Sequence, residues 1–152
     1  MGSRRDAREW AVQLLFQLDY NPGELDAAFR AFWSERAEAK PKSRAFVEEI
    51  VQGVMGNRSR IDEVIQKSAQ NWQLARMAGV DRNILRVAVF EMLCKPEIPP
   101  AVSINEAVEI AKGMGDVGSP RFVNGILDRV RKELGLGGRK SQGPRAGLGE
   151  TQ

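Results

Sequence analysis

The chain has 152 residues, a formal net charge of +3, and 42% apolar and 28% charged residues, a length that fits one domain with a continuous core. It has no histidine and a single cysteine, Cys94. An intramolecular disulfide is therefore excluded, as are the histidine-based zinc sites and the Ser-His and Cys-His nucleophile pairs. We expect Cys94 to be a small buried residue near the end of a helix.

The sequence contains no run of about 18 apolar residues, and residues 1–5 lack the apolar region of a signal peptide. We therefore expect a cytoplasmic protein with no membrane segment. The missing histidines remove the commonest general base. We accordingly expect neither enzymatic activity nor a cofactor.

Apolar residues recur with a helical period along the first half of the chain, and no convincing strand alternation is present. The first predicted helix covers about 4–20 and the second about 24–38. Ser43 is the predicted N-cap of the third helix, and the fourth covers about 58–70.

Three more helices are predicted in the second half of the chain. The fifth covers about 81–94. Residues 103–106 have the capping-box pattern, in which Ser103 and Glu106 each satisfy a free amide at a helix start. Ser119 and Pro120 are the predicted N-cap and first residue of the seventh helix.

Gly125 lies inside the seventh predicted helix, where glycine costs about 1 kcal/mol relative to alanine. We expect another helix backbone to approach closely there. Residues 137–152 are rich in Gly, Ser, Gln and charge, which predicts a disordered tail. The prediction is an all-α domain of seven helices over residues 1–136, followed by that tail.

Two long segments, 104–112 (INEAVEIAK) and 122–128 (FVNGILD), are the most specific motifs in the chain. Together with shorter segments in the same order and spacing, they resemble the NusB family of bacterial transcription antitermination factors. The shorter segments are Ala7-Arg8, Phe46-Val47, residues 51–54, Ile61-Asp62, Trp72, residues 84–86 and Ile98-Pro99. The resemblance covers about 4–135.

The resemblance implies an all-α fold of two packed three-helix bundles. It also implies binding to the boxA element of ribosomal RNA operon transcripts, together with NusE, a protein of the small ribosomal subunit. That complex would join the RNA polymerase antitermination complex and suppress termination. A domain of this kind also precedes some ribosomal RNA methyltransferases, but no methyltransferase sequence follows Gly135.

Three arginines, Arg4, Arg5 and Arg8, occupy the start of the first predicted helix, where cations are disfavoured by the helix dipole. Arg4 and Arg8 are i, i+4 neighbours and should project from one side. An anionic strand would relieve the penalty, and arginine pairs well with phosphate. A solvated helix start is the alternative. With the family resemblance, we interpret these arginines as RNA-binding residues, and we expect replacement of Arg4 and Arg8 by alanine to weaken RNA binding without changing the melting temperature.

Four other residues are candidates for RNA contact by resemblance. Phe16 and Phe122 offer aromatic rings on which single-stranded bases can stack, and the alternative for both is core packing. Lys112 and Arg121 flank the junction of the last two helices and can contact phosphates, or can be ordinary solvated charges.

The surface for NusE is expected, by the same resemblance, around the helix that begins at Asp81. Asp81, Arg82 and Glu91 are its candidate contacts, and ordinary surface charge is the alternative.

Two functional alternatives remain open. One is a protein-interaction module or homodimer of the same fold whose RNA site is covered. The other is an enzyme that uses carboxylates such as Glu106, Glu109 and Asp128. The enzyme is disfavoured because Glu106 is interpreted as a cap and Glu109 lies on a polar face.

Overall fold

The computed structural model describes residues 3–136, which contain seven α-helices, one short 3-10 turn and no β-strand. The helices are α1 Arg4–Tyr20, α2 Leu25–Ser34, α3 Pro41–Gly56, α4 Arg58–Ser68, α5 Gly79–Cys94, α6 Pro100–Met114 and α7 Ser119–Glu133. The prediction of an all-α fold with seven helices is confirmed. Residues 137–152 lie outside the described part, so the tail stays a prediction.

Helix α5 occupies the centre of the fold and packs against α1, α3, α4, α6 and α7. Its residues from Asn83 to Met92 are buried without interruption. A helix that is buried on all sides needs apolar or paired residues around its whole circumference. On one side of α5, α1–α3 form a bundle, and α4, α6 and α7 cover the other side. This arrangement corresponds to the two packed bundles that the resemblance implied.

The close approach of two helices occurs at Gly53 and not at Gly125. A Cβ atom on Gly53 would lie 2.2 Å from the Phe90 ring, so only glycine lets α3 lie this close to α5. Gly125 is exposed, and a Cβ there would meet nothing within 4 Å. The interpretation of Gly125 as a packing glycine is therefore wrong.

Two helices begin earlier than their predicted serine caps. Helix α3 begins at Pro41 and α6 at Pro100, each preceded by an extended residue. Proline has no backbone N–H and a fixed φ, so it suits the first position of a helix, and each helix begins at its proline, two or three residues before the serine. Ser43 and Ser103 consequently lie inside their helices, and the predicted cap and capping box are both wrong.

Smaller differences appear at other helix ends. Helix α2 ends at Ser34 rather than near residue 38. Ser119 is the first residue of α7, one position after the N-cap Gly118, and its hydroxyl accepts a hydrogen bond from the backbone of Asp116. Cys94 is the last residue of α5, as expected for a helix end, but it is exposed rather than buried. None of the described helices is both long and apolar enough to cross a membrane.

Candidate nucleic-acid interface

Arg4 presents an exposed charge at the start of α1. Ser3 caps this helix, since its Oγ accepts a hydrogen bond of 2.9 Å from the backbone N–H of Asp6. The Arg4 guanidinium carbon lies 4.3 Å from the centre of the Phe46 ring of α3. Arg4 makes no ion pair with any residue of the described range 3–136. Its charge is therefore positioned by an aromatic ring and remains available to an anion.

Arg5 is held by a carboxylate of α6. Its Nε and Nη2 donate to Oε1 and Oε2 of Glu106 at 2.7 and 2.9 Å. The Arg5 side chain is 45% exposed and that of Glu106 18%. The hydrogen bond from Arg5 lowers the pKa of the Glu106 carboxyl below its usual range. Phosphate oxygens can accept the same pair of hydrogen bonds, so a phosphate can replace Glu106 here.

Arg8, one turn further along α1, is buried. Its Nε donates to Oε2 of Glu91 at 2.7 Å, and the Ser103 hydroxyl donates to Oε1 of Glu91 at 2.7 Å. The side chains of Arg8 and Glu91 are only 6% and 2% exposed. The expectation that Arg8 projects into solvent beside Arg4, and that Glu91 is a surface charge, is therefore wrong. Together with Ser103, they join α1, α5 and α6.

Phe16 lies at the other end of α1, away from the arginines. Twelve residues separate it from Arg4, which is about 18 Å along the helix axis. Its half-buried ring packs edge-to-face on Tyr20, with centroids 5.0 Å apart, and faces Gly79 at the start of α5. Tyr20 is 73% exposed and was not singled out from the sequence. The structure thus places Phe16 beside the predicted partner surface rather than beside Arg4 and Arg5.

Phe122 forms an aromatic pair with Trp72. The two rings meet edge-to-face, with centroids 5.4 Å apart and planes at 80°. Phe122 is half-buried, whereas Trp72 is 56% exposed. Trp72 carried part of the family resemblance but was not predicted as a site residue. Trp72 lies in a loop between two helices, and an exposed apolar ring often marks a binding surface. This position was the feature of the sequence that could have identified it as a site residue.

Lys112 and Arg121 are both exposed, but only one of them is paired. Lys112 Nζ donates to Glu109 Oε2 at 2.8 Å. Arg121, in the first turn of α7, has no acid partner within residues 3–136. It lines a cleft of about 570 Å³ between α6 and α7, together with Asn105 and Asn124.

The predicted partner residues at the start of α5 are engaged inside the protein. Arg82 donates to Asp19 Oδ2 at 3.2 Å and to the carbonyl oxygens of Leu74 and Met77 at 3.2 and 3.1 Å. Asp81 is buried, and its Oδ1 has no hydrogen-bond partner among the described residues. An unsatisfied buried oxygen of this kind is uncommon in folded proteins.

Asp19 is the centre of a network between α1 and α5. It accepts hydrogen bonds from Asn83 at 2.9 Å and from Arg86 at 3.2 Å, in addition to Arg82. Burial by itself would raise the pKa of the Asp19 carboxyl. The hydrogen bonds and positive charges around it outweigh burial and lower that pKa below its usual range. Arg86 also donates to Asp62, so the network extends to α4.

Comparison with known protein families shows which family this chain matches. The profile of the NusB family matches residues 5–132, nearly all of the described chain. The chain belongs to the NusB family. The transcription antitermination protein NusB of Trichlorobacter lovleyi is 50% identical over 130 residues, covering 86% of this chain and 91% of that protein.

Solved NusB structures share the fold. NusB from T. maritima superposes with a TM-score of 0.78 at 37% identity, covering 86% of this chain and 92% of that one. A structure of antitermination factors NusB and NusE in complex with double-stranded RNA superposes with a TM-score of 0.77 at 24% identity, covering 86% and 96%. At that identity the second likeness shows the fold alone.

The two long NusB motifs face each other in the structure. The 104–112 motif lies on α6 and the 122–128 motif on α7. They supply Asn105 and Asn124 to the same cleft, and Glu106 of the first motif holds Arg5. The sequence resemblance therefore corresponds to a continuous region of the surface and to the ion pair next to it.

Proposed function

We propose that this protein is a transcription antitermination factor. It binds single-stranded boxA RNA of ribosomal RNA operon transcripts together with NusE, and helps RNA polymerase read through terminators in the bacterial cytoplasm. The protein works by binding and not by catalysis. Support comes from the family, whose curated relatives are transcription antitermination proteins.

The RNA part of the proposal rests on the contacts that two adjacent arginines, Arg4 and Arg5, make in the fold. Arg4 has no ion pair within the described residues and rests on the Phe46 ring, while the half-exposed Arg5 is held by the partly buried carboxylate of Glu106, which phosphate can replace. Both stand where backbone amides already point outward, so an approaching anion is attracted by the helix end as well. Arg8 is left out of the contact set because its charge is already satisfied by Glu91.

The RNA surface extends from these arginines along α6 to the start of α7. Lys112 and Arg121 supply further positive charge, and the Trp72–Phe122 pair supplies an exposed ring for stacking. Each stacked base contributes about 1–3 kcal/mol in single-strand complexes.

NusE is proposed to bind at the other end of α1, where α5 begins. The structure of NusB and NusE with double-stranded RNA is a complex of a protein with this fold. In this chain, Tyr20 is largely exposed beside Phe16. Arg82 shapes the same surface by holding the preceding loop.

The test is the salt dependence of RNA binding. Single-strand binding weakens with salt by a log-log slope of about −0.7 for each phosphate neutralised. We expect Arg4→Ala and Arg5→Ala each to weaken binding of a labelled boxA RNA and to make the slope shallower by about 0.7. Fluorescence anisotropy titrations at several salt concentrations measure both quantities.

The matched control is Arg30→Ala, which removes the same charge from an exposed position on α2. It should lower affinity far less and leave the slope unchanged. Equal slopes for the wild type and the Arg4→Ala Arg5→Ala double variant would contradict the proposal. Sedimentation in the same buffer separates the homodimer alternative, because a dimer that covers the arginines would bind RNA only after dissociation.

A further inference from the structure

The cleft between α6 and α7 contains two side-chain amides that no other described residue uses. Asn105 of α6 and Asn124 of α7 both line it, and both are exposed. Neither side chain makes a hydrogen bond with another residue of the described range. The cleft is open to solvent, with a volume of about 570 Å³. This volume falls within the range of about 300–1,000 Å³ that is typical of ligand sites, and the open side leaves room for a base that remains attached to a strand.

The rest of the cleft combines an apolar floor with one unpaired cation. Ile104 and Val108 of α6 and Pro120 of α7 provide the apolar surface. Arg121 provides a guanidinium that has no acid partner among the described residues. Asp128 and Arg131 of α7 also line the cleft, and their charges pair with each other. The cleft therefore offers apolar contact, two donor-and-acceptor amides and one guanidinium without an acid partner among the described residues.

These three features match the parts of a single nucleotide. A carboxamide presents a donor and an acceptor in one plane, as the edges of the bases do, and asparagine forms paired hydrogen bonds with adenine in this way. The base faces suit apolar contact, and the phosphate suits arginine. A simple anion would leave both amides and the apolar floor unused.

The cleft also continues the path of the proposed RNA surface. Glu106 is the residue after Asn105 on α6, and it holds Arg5 of α1. Successive side chains of a helix point about 100° apart, so Arg5 and the cleft lie on neighbouring faces of α6, and one strand can reach both. We propose that the α6–α7 cleft binds one unstacked base of the RNA, read by Asn105 and Asn124, with Arg121 on its phosphate. This inference rests on the proposed RNA-binding function.

The experiment combines amide variants of the full chain with an abasic scan of the RNA. The probe is a fluorescein-labelled single-stranded boxA RNA, and a set of otherwise identical RNAs in which each nucleotide in turn is abasic. Asn105→Ala and Asn124→Ala should each weaken binding about tenfold, because each removes a paired hydrogen bond to a base. Their salt slopes should equal that of the wild type, since the side chains are neutral.

The abasic scan locates the base. With the wild type, one abasic position should weaken binding about tenfold more than its neighbours. With Asn124→Ala, that position should show no extra loss. Asn21→Ala is the matched control, because Asn21 is an exposed asparagine just after the other end of α1. It should bind every RNA as the wild type does.

Three outcomes would overturn the inference. If the wild type binds the RNA but both variants bind it equally well, the cleft holds no base while the RNA-binding function stands. If the variants bind RNA normally but lose affinity for NusE, the cleft is a protein site. If the wild type itself does not bind the RNA at low salt, the proposed function fails and this inference fails with it.

Discussion

Arg5 and Arg8 are separated by less than one turn of α1, and each pairs with a glutamate far away in the sequence, yet the two pairs differ in almost every physical respect. The pair of Arg5 with Glu106 is exposed, at 45% and 18% of the two side chains. The pair of Arg8 with Glu91 is buried, at 6% and 2%, and Ser103 adds a further hydrogen bond to Glu91.

The difference shows that two nearby arginines of one helix can have different roles, one in binding and one in folding. An exposed pair has little net effect on folding, because water and salt screen it, and another anion can replace either partner. A buried pair cannot lose one partner without leaving an uncompensated charge inside the protein. Arg5 is therefore suited to bind a ligand, whereas Arg8 positions the helix that carries Arg4 and Arg5.

The largest expected effect is on stability. Arg8→Met keeps the aliphatic stem but removes the charge, so Glu91 remains buried without its cation. The free energy of unfolding should fall by about 3–5 kcal/mol. Arg5→Met should leave the melting temperature nearly unchanged. Urea and thermal unfolding of both variants measure the contrast.

A repair variant makes this comparison sharper. In Arg8→Met Glu91→Leu neither partner is left charged, so most of the lost stability should return. If Arg8→Met and Arg5→Met unfold at the same urea concentration, the two ion pairs contribute equally to stability and burial does not distinguish them.

A smaller effect on stability is expected when acid protonates Asp19, which pairs with Arg82 and Arg86. The pKa of this carboxyl is lower in the folded protein than in the unfolded chain, where it is about 3.9. The stabilisation is therefore complete above about pH 5 and is lost as the pH falls through the lower, folded value. The melting temperature should drop below about pH 5.

Asp19→Asn tests whether Asp19 contributes to that acid sensitivity. The variant should melt at a lower temperature than the wild type at pH 7, because Arg82 loses its carboxylate partner and Arg86 keeps only Asp62. Its melting temperature should then fall less steeply in acid. Parallel acid profiles for the two proteins would assign the acid sensitivity to other carboxyls.

The smallest expected effect is a gain in RNA affinity when the Arg5–Glu106 pair is broken at Glu106. Glu106→Gln removes the charge that competes with phosphate for Arg5, so boxA RNA should bind about two- to fivefold more tightly. Glu63→Gln removes the same charge from an exposed glutamate of α4 that pairs with none of the proposed RNA-binding residues. It should change affinity less. Weaker binding by Glu106→Gln would mean that Glu106 holds Arg5 in place for RNA rather than competing with it.

Much of the fold could be predicted because helix patterns are local. The apolar stripes and breakers of the sequence located all seven helices, and the errors at α2, α3 and α6 are of a few residues. The errors at α3 and α6 had local causes, since Pro41 and Pro100 begin their helices before the serines that were expected to cap them. A periodicity of 3.6 residues needs information from only one or two turns.

The candidate site was predicted less completely because its partners are distant. Arg5 and Glu106 are 101 residues apart and Arg8 and Glu91 are 83 apart. Nothing within one turn of either arginine indicates that one is exposed and the other buried. The same limit explains Trp72 beside Phe122, and Gly53 rather than Gly125 at the helix contact.

The sequence by itself determined seven helices with cations at the start of the first, because apolar spacing and helix breakers act over a few residues. Its resemblance to the NusB family came from the two long motifs at 104–112 and 122–128. Tertiary structure alone decided which of those cations remains free to bind an anion. That choice depends on whether the packing of α1 against α5 and α6 removes a side chain from water, and burial is a property of the assembled helices rather than of any one segment.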